Sequence, residues 1–403
     1  MAQTTIAQKS SASKELNTSM LIMQCIGIIS VVFGHADTGG EDIPNIFNIA
    51  FPYYSWHMPM FIFISGYFFN RTLNTKDYII KKLRTHLLPA FLVNAVCGLF
   101  SFLILIFGLA DYGRPITFQS LFVTPFTLGD QFRINVSLWF IFALVIIEIL
   151  ACVMDRLAHG KASPIYLAAT FLTCLYCCIR IYYDHNGTRD EFINALLRLG
   201  YLMFFFWLGI CYRQYAEPHI KRFLNVKSSL VIFSLQAAFL GITGYKITTN
   251  VRDMNFIPIT VPNGFWVAIV APITATVFFL GLSYSLSKYI GSSRTLAILG
   301  RNTKYVVYYH QLCFVLFSIA VAVLSHKGVP ALPGFSLGEM RVNAYYTGGN
   351  LAVTCVVAIF SIVLPVVLCR WIDKQKKQTA FILYASISLL IVLYLYIAHL
   401  LMR

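Results

Sequence analysis

The chain has 403 residues, of which 58% are hydrophobic and 12% charged, and its mean hydropathy is +0.71. A soluble globular protein of this length needs far more polar surface, so a soluble fold is excluded. The formal net charge of +15 does not indicate nucleic-acid binding, because the basic residues fall in short loops between apolar segments, where anionic lipid headgroups account for them.

Apolar segments near the length of a hydrocarbon core follow one another along the chain. They lie at about 20–36, 50–69, 87–110, 136–154, 164–183, 194–212, 229–246, 264–287, 305–325, 350–369 and 380–402. We therefore predict an all-α, polytopic membrane bundle of about eleven transmembrane helices, a ten-helix core plus one. Lysine and arginine concentrate in alternate loops, which predicts a cytoplasmic N-terminus and an extracytoplasmic C-terminus.

This segmentation divides the chain into a cytoplasmic tail at 1–18, a membrane domain at 19–372, and a basic cytoplasmic loop with an extra C-terminal helix at 373–403. The longest hydrophilic loops are predicted outside, where they would shape a binding surface. The ten cysteines fall almost entirely in apolar segments, which indicates packing rather than metal ligation, and no metal site is predicted.

A histidine ends the first apolar segment. Asp37 follows His35 two residues later. A titratable side chain is costly inside a membrane segment, so the position of His35 needs an explanation. One interpretation is a helix end that meets water or headgroups, and the other is a chemical role. His57 lies near the outer end of the second segment and is expected at the same depth as His35. Gln24 lies on the same face as His35, about three turns deeper, so a polar track is predicted.

A short basic helix is predicted directly after the second segment. Apolar residues alternate with cations in a helical pattern until Pro89 ends it. It is either a plain cytoplasmic anchor or a clamp for the phosphates of a polyanionic cofactor. The candidate clamp residues are Arg71, Lys81, Lys82 and Arg84, extended by Arg301 and Lys304 before the ninth segment.

Three further positions, Glu148, Trp139 and His310, allow alternative interpretations. Glu148 belongs either to a network inside the membrane or to the inner interface. Trp139 is either a core or belt residue or a substrate contact. His310 either bonds a neighbouring helix or serves a donor channel, and Gly66 indicates close helix packing.

Five sequence elements occur in order over most of the chain. They are FGHAD at 33–37, SWHMPMFIFISGYFF at 55–69, KKLRTHLLPAF at 81–91, SLWFIFALVIIE at 137–148 and LGRNTKYVVYYHQL at 299–312. Together they resemble the acyltransferase family 3 of integral membrane proteins, in the branch similar to fucose 4-O-acetylase.

The resemblance implies a multi-pass O-acetyltransferase of the bacterial inner membrane, with the membrane domain at 19–372 as its acyltransferase domain. The donor substrate would be cytoplasmic acetyl-CoA, with no permanently bound cofactor, and the acceptor a hydroxyl of a surface polysaccharide or its lipid-linked precursor. It also implies a required histidine at His35, donor-binding cations within 71–84 and a family match at His57. Gln24 departs from the usual Arg or Lys, and an amide cannot neutralise a phosphate, so donor binding rests on other cations or on a different geometry.

Moving an acyl group from a thioester to an alcohol requires a base for the hydroxyl proton and donors for the developing oxyanion. We predict His35 as the base, oriented by Asp37 or Asp42, and a transient acetyl-histidine stays an alternative. His57 either stabilises the oxyanion or caps its helix. The candidate donor-binding residues are Gln24, Arg71, Lys81, Lys82, Arg84, Arg301, Lys304 and His310, and the candidate substrate contacts are Asp42, Trp56 and Trp139.

A flippase or exporter of a lipid-linked sugar or small metabolite is the alternative function. It is expected to line a central cavity with more charge and often to show repeat symmetry, whereas the ionisable residues here cluster at the ends of the first two segments. The expected partners are acetyl-CoA, the glycan acceptor and membrane lipids, with a homo-oligomer left open.

Overall fold

The computed structural model describes residues 2–36, 49–51, 55–183, 190–243, 248–250, 255–257, 267–291, 293–329, 335–348 and 350–403. Side chains are described from Thr18 onward, apart from residue 243 and the two short strands. Asp37 and Asp42 lie outside the described residues.

Helices dominate the described part of the chain. They are α1 Ala2–His35, α2 His57–Tyr67, α3 Thr75–Lys82, α4 Leu88–Ile106, α5 Trp139–Leu157, α6 Ser163–Tyr183, α7 Glu191–Cys211, α8 Glu217–Ile220, α9 Val226–Thr243, α10 Val267–Ile290, α11 Arg294–Arg301, α12 Thr303–His326, α13 Leu337–Val342, α14 Leu351–Asp373 and α15 Lys377–Met402. Two antiparallel three-residue strands, β1 Thr248–Asn250 and β2 Asn255–Ile257, pair with each other.

Nine helical segments of the described residues are long and apolar enough to cross a membrane, so the chain is a polytopic helical membrane protein. Each of the eleven apolar segments overlaps a helix, but the second helix is only 11 residues long, His57–Tyr67, instead of 50–69. Pro59 explains the late start, because its ring would clash with the carbonyl of Ser55 if the helix extended that far back. The hydropathy of the segment alone does not show that the helix starts only at His57.

One compact unit contains residues 1–30, 45–82 and 143–301. In its core the Trp56 ring stacks on Phe279, with 4.2 Å between ring centroids. Helices α2 and α7 meet through glycine: a Cβ at Gly66 would lie 2.0 Å from the Phe206 carbonyl oxygen, and one at Gly209 would lie 2.1 Å from that of Phe63. The prediction of close packing at Gly66 is confirmed, since only a glycine permits this approach.

The other compact unit contains residues 31–44, 83–142 and 302–403. Its last helix, α15, is mostly exposed but is attached by three polar contacts. Tyr394 donates to the Leu316 carbonyl at 2.7 Å, the His399 ring to the Phe107 carbonyl at 2.7 Å, and the Tyr384 hydroxyl to Asp373 at 3.1 Å. These contacts join α15 to α12, α4 and α14, and its exposed apolar surface is that of a lipid-facing helix.

Candidate active site

Two histidines face each other in the second unit, one at the C-terminal end of α1 and one in the first half of α12. The ring centroids of His35 and His310 are 5.3 Å apart. His35 Nδ1 lies 2.8 Å from the Val31 carbonyl oxygen, and His310 Nδ1 lies 2.7 Å from that of Val306. A carbonyl oxygen only accepts, so each neutral ring carries its hydrogen on Nδ1 and its lone pair on Nε2.

The Nε2 atom of His310 connects the pair to a third residue. It lies 3.4 Å from His35 Nδ1 and 3.4 Å from the Ser137 hydroxyl oxygen. With its single lone pair on Nε2, His310 accepts from one of these two groups at a time, and the His35 Nδ1 hydrogen is also donated to the Val31 carbonyl. His310 is fully buried, and the ring of Tyr345 lies 5.8 Å from that of His35. This arrangement fixes the tautomer of His35, with its lone pair on Nε2.

A glutamine beside His310 is held at one end only. The Ser137 backbone N–H donates to Gln311 Oε1 at 3.1 Å, which fixes the plane of the amide. The Gln311 Nε2 group is buried and has no hydrogen-bond partner among the described residues. An unsatisfied buried donor costs about 1–3 kcal/mol. Such a buried donor, on the residue that follows His310, is suited to a substrate oxygen.

Asparagines support the turn that carries Ser137. The Asn135 side chain donates to Asn94 Oδ1 at 3.1 Å, and Asn94 in turn donates to the carbonyls of Ser120 and Leu121. Ser137 lies in a 3₁₀ turn, Val136–Leu138, which leads directly into α5. The hydrogen bonds therefore tie the start of α5 to α4 and hold the serine in place.

The first unit contains His57 and Trp56. His57 begins α2 and is 1% exposed, and its ring meets that of Trp56 edge to face. The Trp56 indole N–H donates to the Phe51 carbonyl at 3.2 Å, so this tryptophan is a core residue of its unit. The predicted pairing of His57 with His35 stays a prediction. Trp139 of the second unit is also buried, in agreement with the core interpretation.

Two of the predicted phosphate-binding cations are paired with buried carboxylates on one face of α5. Lys82 Nζ lies 2.5 Å from Glu148, and an Arg71 nitrogen lies 2.5 Å from Asp155 and 2.8 Å from the Ser163 hydroxyl. Glu148 and Asp155 are seven residues apart, two helical turns, so both face the same neighbours. Glu148 thus belongs to a buried ion-pair network. The charges of Lys82 and Arg71 are thus engaged by carboxylates, and their role in donor binding stays a prediction.

The remaining cations stay accessible. Lys81, Arg84 and Arg301 are exposed, and the Lys304 ammonium lies 4.9 Å from the centroid of the Tyr305 ring. Gln24 is half-buried on α1. These side chains retain the charge or polarity that a phosphate or amide ligand would meet.

Sequence reasoning missed four residues that the structure brings into the two networks: Ser137, Gln311, Tyr345 and Asp155. Ser137 and Gln311 lie within the SLWF and YHQL elements, so the elements were recognised but not these side chains. Asp155 follows Glu148 by seven residues, a spacing that the sequence offered. Tyr345 carries no local signal, because its contact with His35 depends only on tertiary structure.

A family model described as an acyltransferase domain, that of acyltransferase family 3, matches residues 17–370. The match includes His35, Ser137, His310 and Gln311, and it ends before α15. No curated protein and no solved structure matches the chain at a significant level.

Proposed function

The chain belongs to acyltransferase family 3, and from this premise we propose that it is an O-acetyltransferase that uses acetyl-CoA and modifies a glycan hydroxyl. The acceptor would be a surface polysaccharide or its lipid-linked precursor outside the bacterial inner membrane. Similarity of the five sequence elements to the fucose 4-O-acetylase branch supports a sugar acceptor.

The contact between His35 and His310 is the observation that carries the proposal. His35 Nε2 holds the lone pair and accepts the proton of the acceptor hydroxyl, while the hydroxyl oxygen attacks the thioester carbonyl. The carbon–sulfur bond then breaks, and the CoA thiolate takes the proton from His35. The protonated His35 ring donates its Nδ1 hydrogen to His310 Nε2 and Val31, and hydrogen bonds from a charged donor are stronger than neutral ones.

Gln311 supplies a donor for the oxyanion in this scheme. Its Nε2 group is buried beside His310 and lacks a partner among the described residues, so it is available for the negative charge that develops on the carbonyl oxygen. Asp37 and Asp42 remain candidate orienting carboxylates for His35. A covalent acetyl-His35 intermediate remains the alternative to direct transfer.

Donor binding rests on the accessible cations. Lys81, Arg84, Arg301 and Lys304 are each a candidate contact for the phosphates of acetyl-CoA, and the paired Arg71 and Lys82 would stabilise the segment that carries Lys81. The concentration of basic residues in alternate loops supports a cytoplasmic location for these residues.

Mass spectrometry of cell-surface glycans, with and without the protein, tests the function. We expect one acetyl ester per modified sugar in cells with the wild-type protein and none with His35→Ala. His219→Ala serves as the matched control, because His219 is an exposed histidine in α8 outside both networks. If glycans stay unmodified with the wild-type protein and a lipid-linked sugar is transported, the acetyltransferase proposal is refuted and the exporter function is favoured.

A further inference from the structure

The first unit contains an apolar cavity of about 740 Å³, lined by residues of α2, α6, α7, α8, α10 and the turns next to them. Phe63, Leu167, Phe204 and Leu280 are typical of its wall. The hydroxyl of Thr276 in the wall donates to the Pro272 carbonyl at 2.7 Å, so it is already satisfied within its own helix. The volume falls within the range of about 300–1,000 Å³ that is usual for ligand sites, and this wall favours hydrocarbon.

The cavity opens toward the surroundings of the bundle. Phe171 on α6 and Val277 on α10 line it and are 39% and 37% exposed. Along α7 and the following turn, the lining residues run from Phe204 to Tyr215, eleven residues or about 16 Å. One leaflet of a hydrocarbon core is about 15 Å deep. The cavity therefore has the length of one leaflet.

One end of the cavity carries positive charge. Tyr215 and Ile220 line this end, and Arg213, Lys221 and Arg222 lie beside them in the chain, with Arg213 and Arg222 exposed. The single carboxylate of this segment belongs to Glu217, so the three cations outnumber it. An anionic headgroup at this end would be attracted by the excess charge.

A buried hydroxyl lies at the same end. Tyr212 lines the cavity and is 7% exposed, and its hydroxyl has no hydrogen-bond partner among the described residues. Its ring is fixed by Phe63, with centroids 5.5 Å apart, so the hydroxyl does not turn freely to solvent. A ligand oxygen would give this buried donor the partner that it lacks.

We propose that this cavity binds one acyl chain of an anionic phospholipid, whose headgroup oxygens meet the Tyr212 hydroxyl and the cations of residues 213–222. The hydrocarbon wall holds the chain, and the charged end selects the headgroup. The site is independent of the acetyl-transfer chemistry.

Lipid retention by the full-length protein tests the site. The protein is reconstituted in vesicles of equal phosphatidylglycerol and phosphatidylcholine, purified again in detergent, and analysed by native mass spectrometry. We expect about one phosphatidylglycerol per chain to be retained, in keeping with a single ligand-sized cavity. Ala168→Phe, which fills the cavity from α6, should abolish retention, while Leu172→Phe on an exposed part of the same helix should not change it.

Two further variants test the headgroup end without filling the cavity. Tyr212→Phe and the double substitution Lys221→Gln with Arg222→Gln should each lower phosphatidylglycerol retention, the latter about ten-fold, because each basic residue near an anionic headgroup contributes to binding. Lys376→Gln with Lys377→Gln, exposed residues of the other unit, is the matched control and should retain the lipid. Equal retention of phosphatidylcholine, no retained lipid, or equal loss in the control variants would each overturn the proposal.

Discussion

The ion pair between Lys82 and Glu148 gives the sharpest test of how the basic segment is used. Lys82 Nζ lies 2.5 Å from Glu148 Oε1, and the side chains are 16% and 5% exposed. Removing one partner of a buried pair costs about 3–5 kcal/mol, because the other charge is left uncompensated. Glu148→Leu should therefore lower the free energy of unfolding by about 3 kcal/mol, at the low end of that range, since Lys82 retains some access to solvent.

The double variant separates a structural role from a phosphate-binding role. Lys82→Met with Glu148→Leu replaces the pair by apolar side chains of similar size, which is often nearly neutral for stability. We expect the free energy of unfolding to return to within about 1 kcal/mol of wild type and the KM for acetyl-CoA to stay within about two-fold. Lys81→Met is the matched control, since its exposed neighbour position should leave stability unchanged and raise that KM.

Denaturant titration in detergent micelles and steady-state kinetics measure both quantities. A double-mutant cycle gives the interaction free energy of the two side chains, which we expect to be about 2 kcal/mol or more in favour of the pair. An interaction free energy near zero, combined with a ten-fold higher KM for acetyl-CoA in the double variant, would show that Lys82 binds the donor and that the ion pair does not stabilise the protein.

The other predictions concern the histidine pair and the helix contact. His310→Leu removes the acceptor for His35 Nδ1 and should lower kcat by about 10²-fold. His310→Gln keeps an acceptor near the Nε2 position and should recover part of that loss. Identical pH–rate profiles for wild type, His310→Leu and His310→Gln would contradict a positioning role. Ser137→Ala should lower kcat by about ten-fold in the same assay while leaving the KM for acetyl-CoA unchanged, and an effect on KM alone would contradict its place beside His310. Gly66→Ala should destabilise the protein by about 1–3 kcal/mol, because its Cβ overlaps the Phe206 carbonyl. Gly241→Ala is the control, since a Cβ there meets nothing within 4 Å, and its thermal unfolding temperature should be unchanged or higher.

Local sequence patterns were sufficient to predict the helices and to single out His35, one of the two histidines of the candidate site. Apolar length located a helix in each predicted segment, and the unexplained polarity of His35 identified the end of α1 as special. Close packing at Gly66 could be predicted because a small residue in an apolar helix allows another helix to approach closely. Each of these inferences depends on residues that are close together in the chain.

Contacts between distant segments were beyond the sequence. Ser137 and His310 are 173 positions apart, and their hydrogen bond depends on how α12 packs against the turn before α5. The ion pair in the basic segment was missed for the same reason, because nothing local shows that Lys82 is 2.5 Å from Glu148. Periodicity gives the face of a helix but not the helix that this face meets.

Acetyl transfer by His35 variants tests the central claim most directly. CoA thiol release and ester formation are measured together in proteoliposomes that contain acetyl-CoA and a glycan acceptor, for wild type, His35→Ala and His219→Ala. A histidine that acts as the general base contributes about 10²–10⁴-fold to the rate, so His35→Ala should lose at least two orders of magnitude while His219→Ala keeps the wild-type rate. Ester formation by His35→Ala within two-fold of wild type would contradict the account.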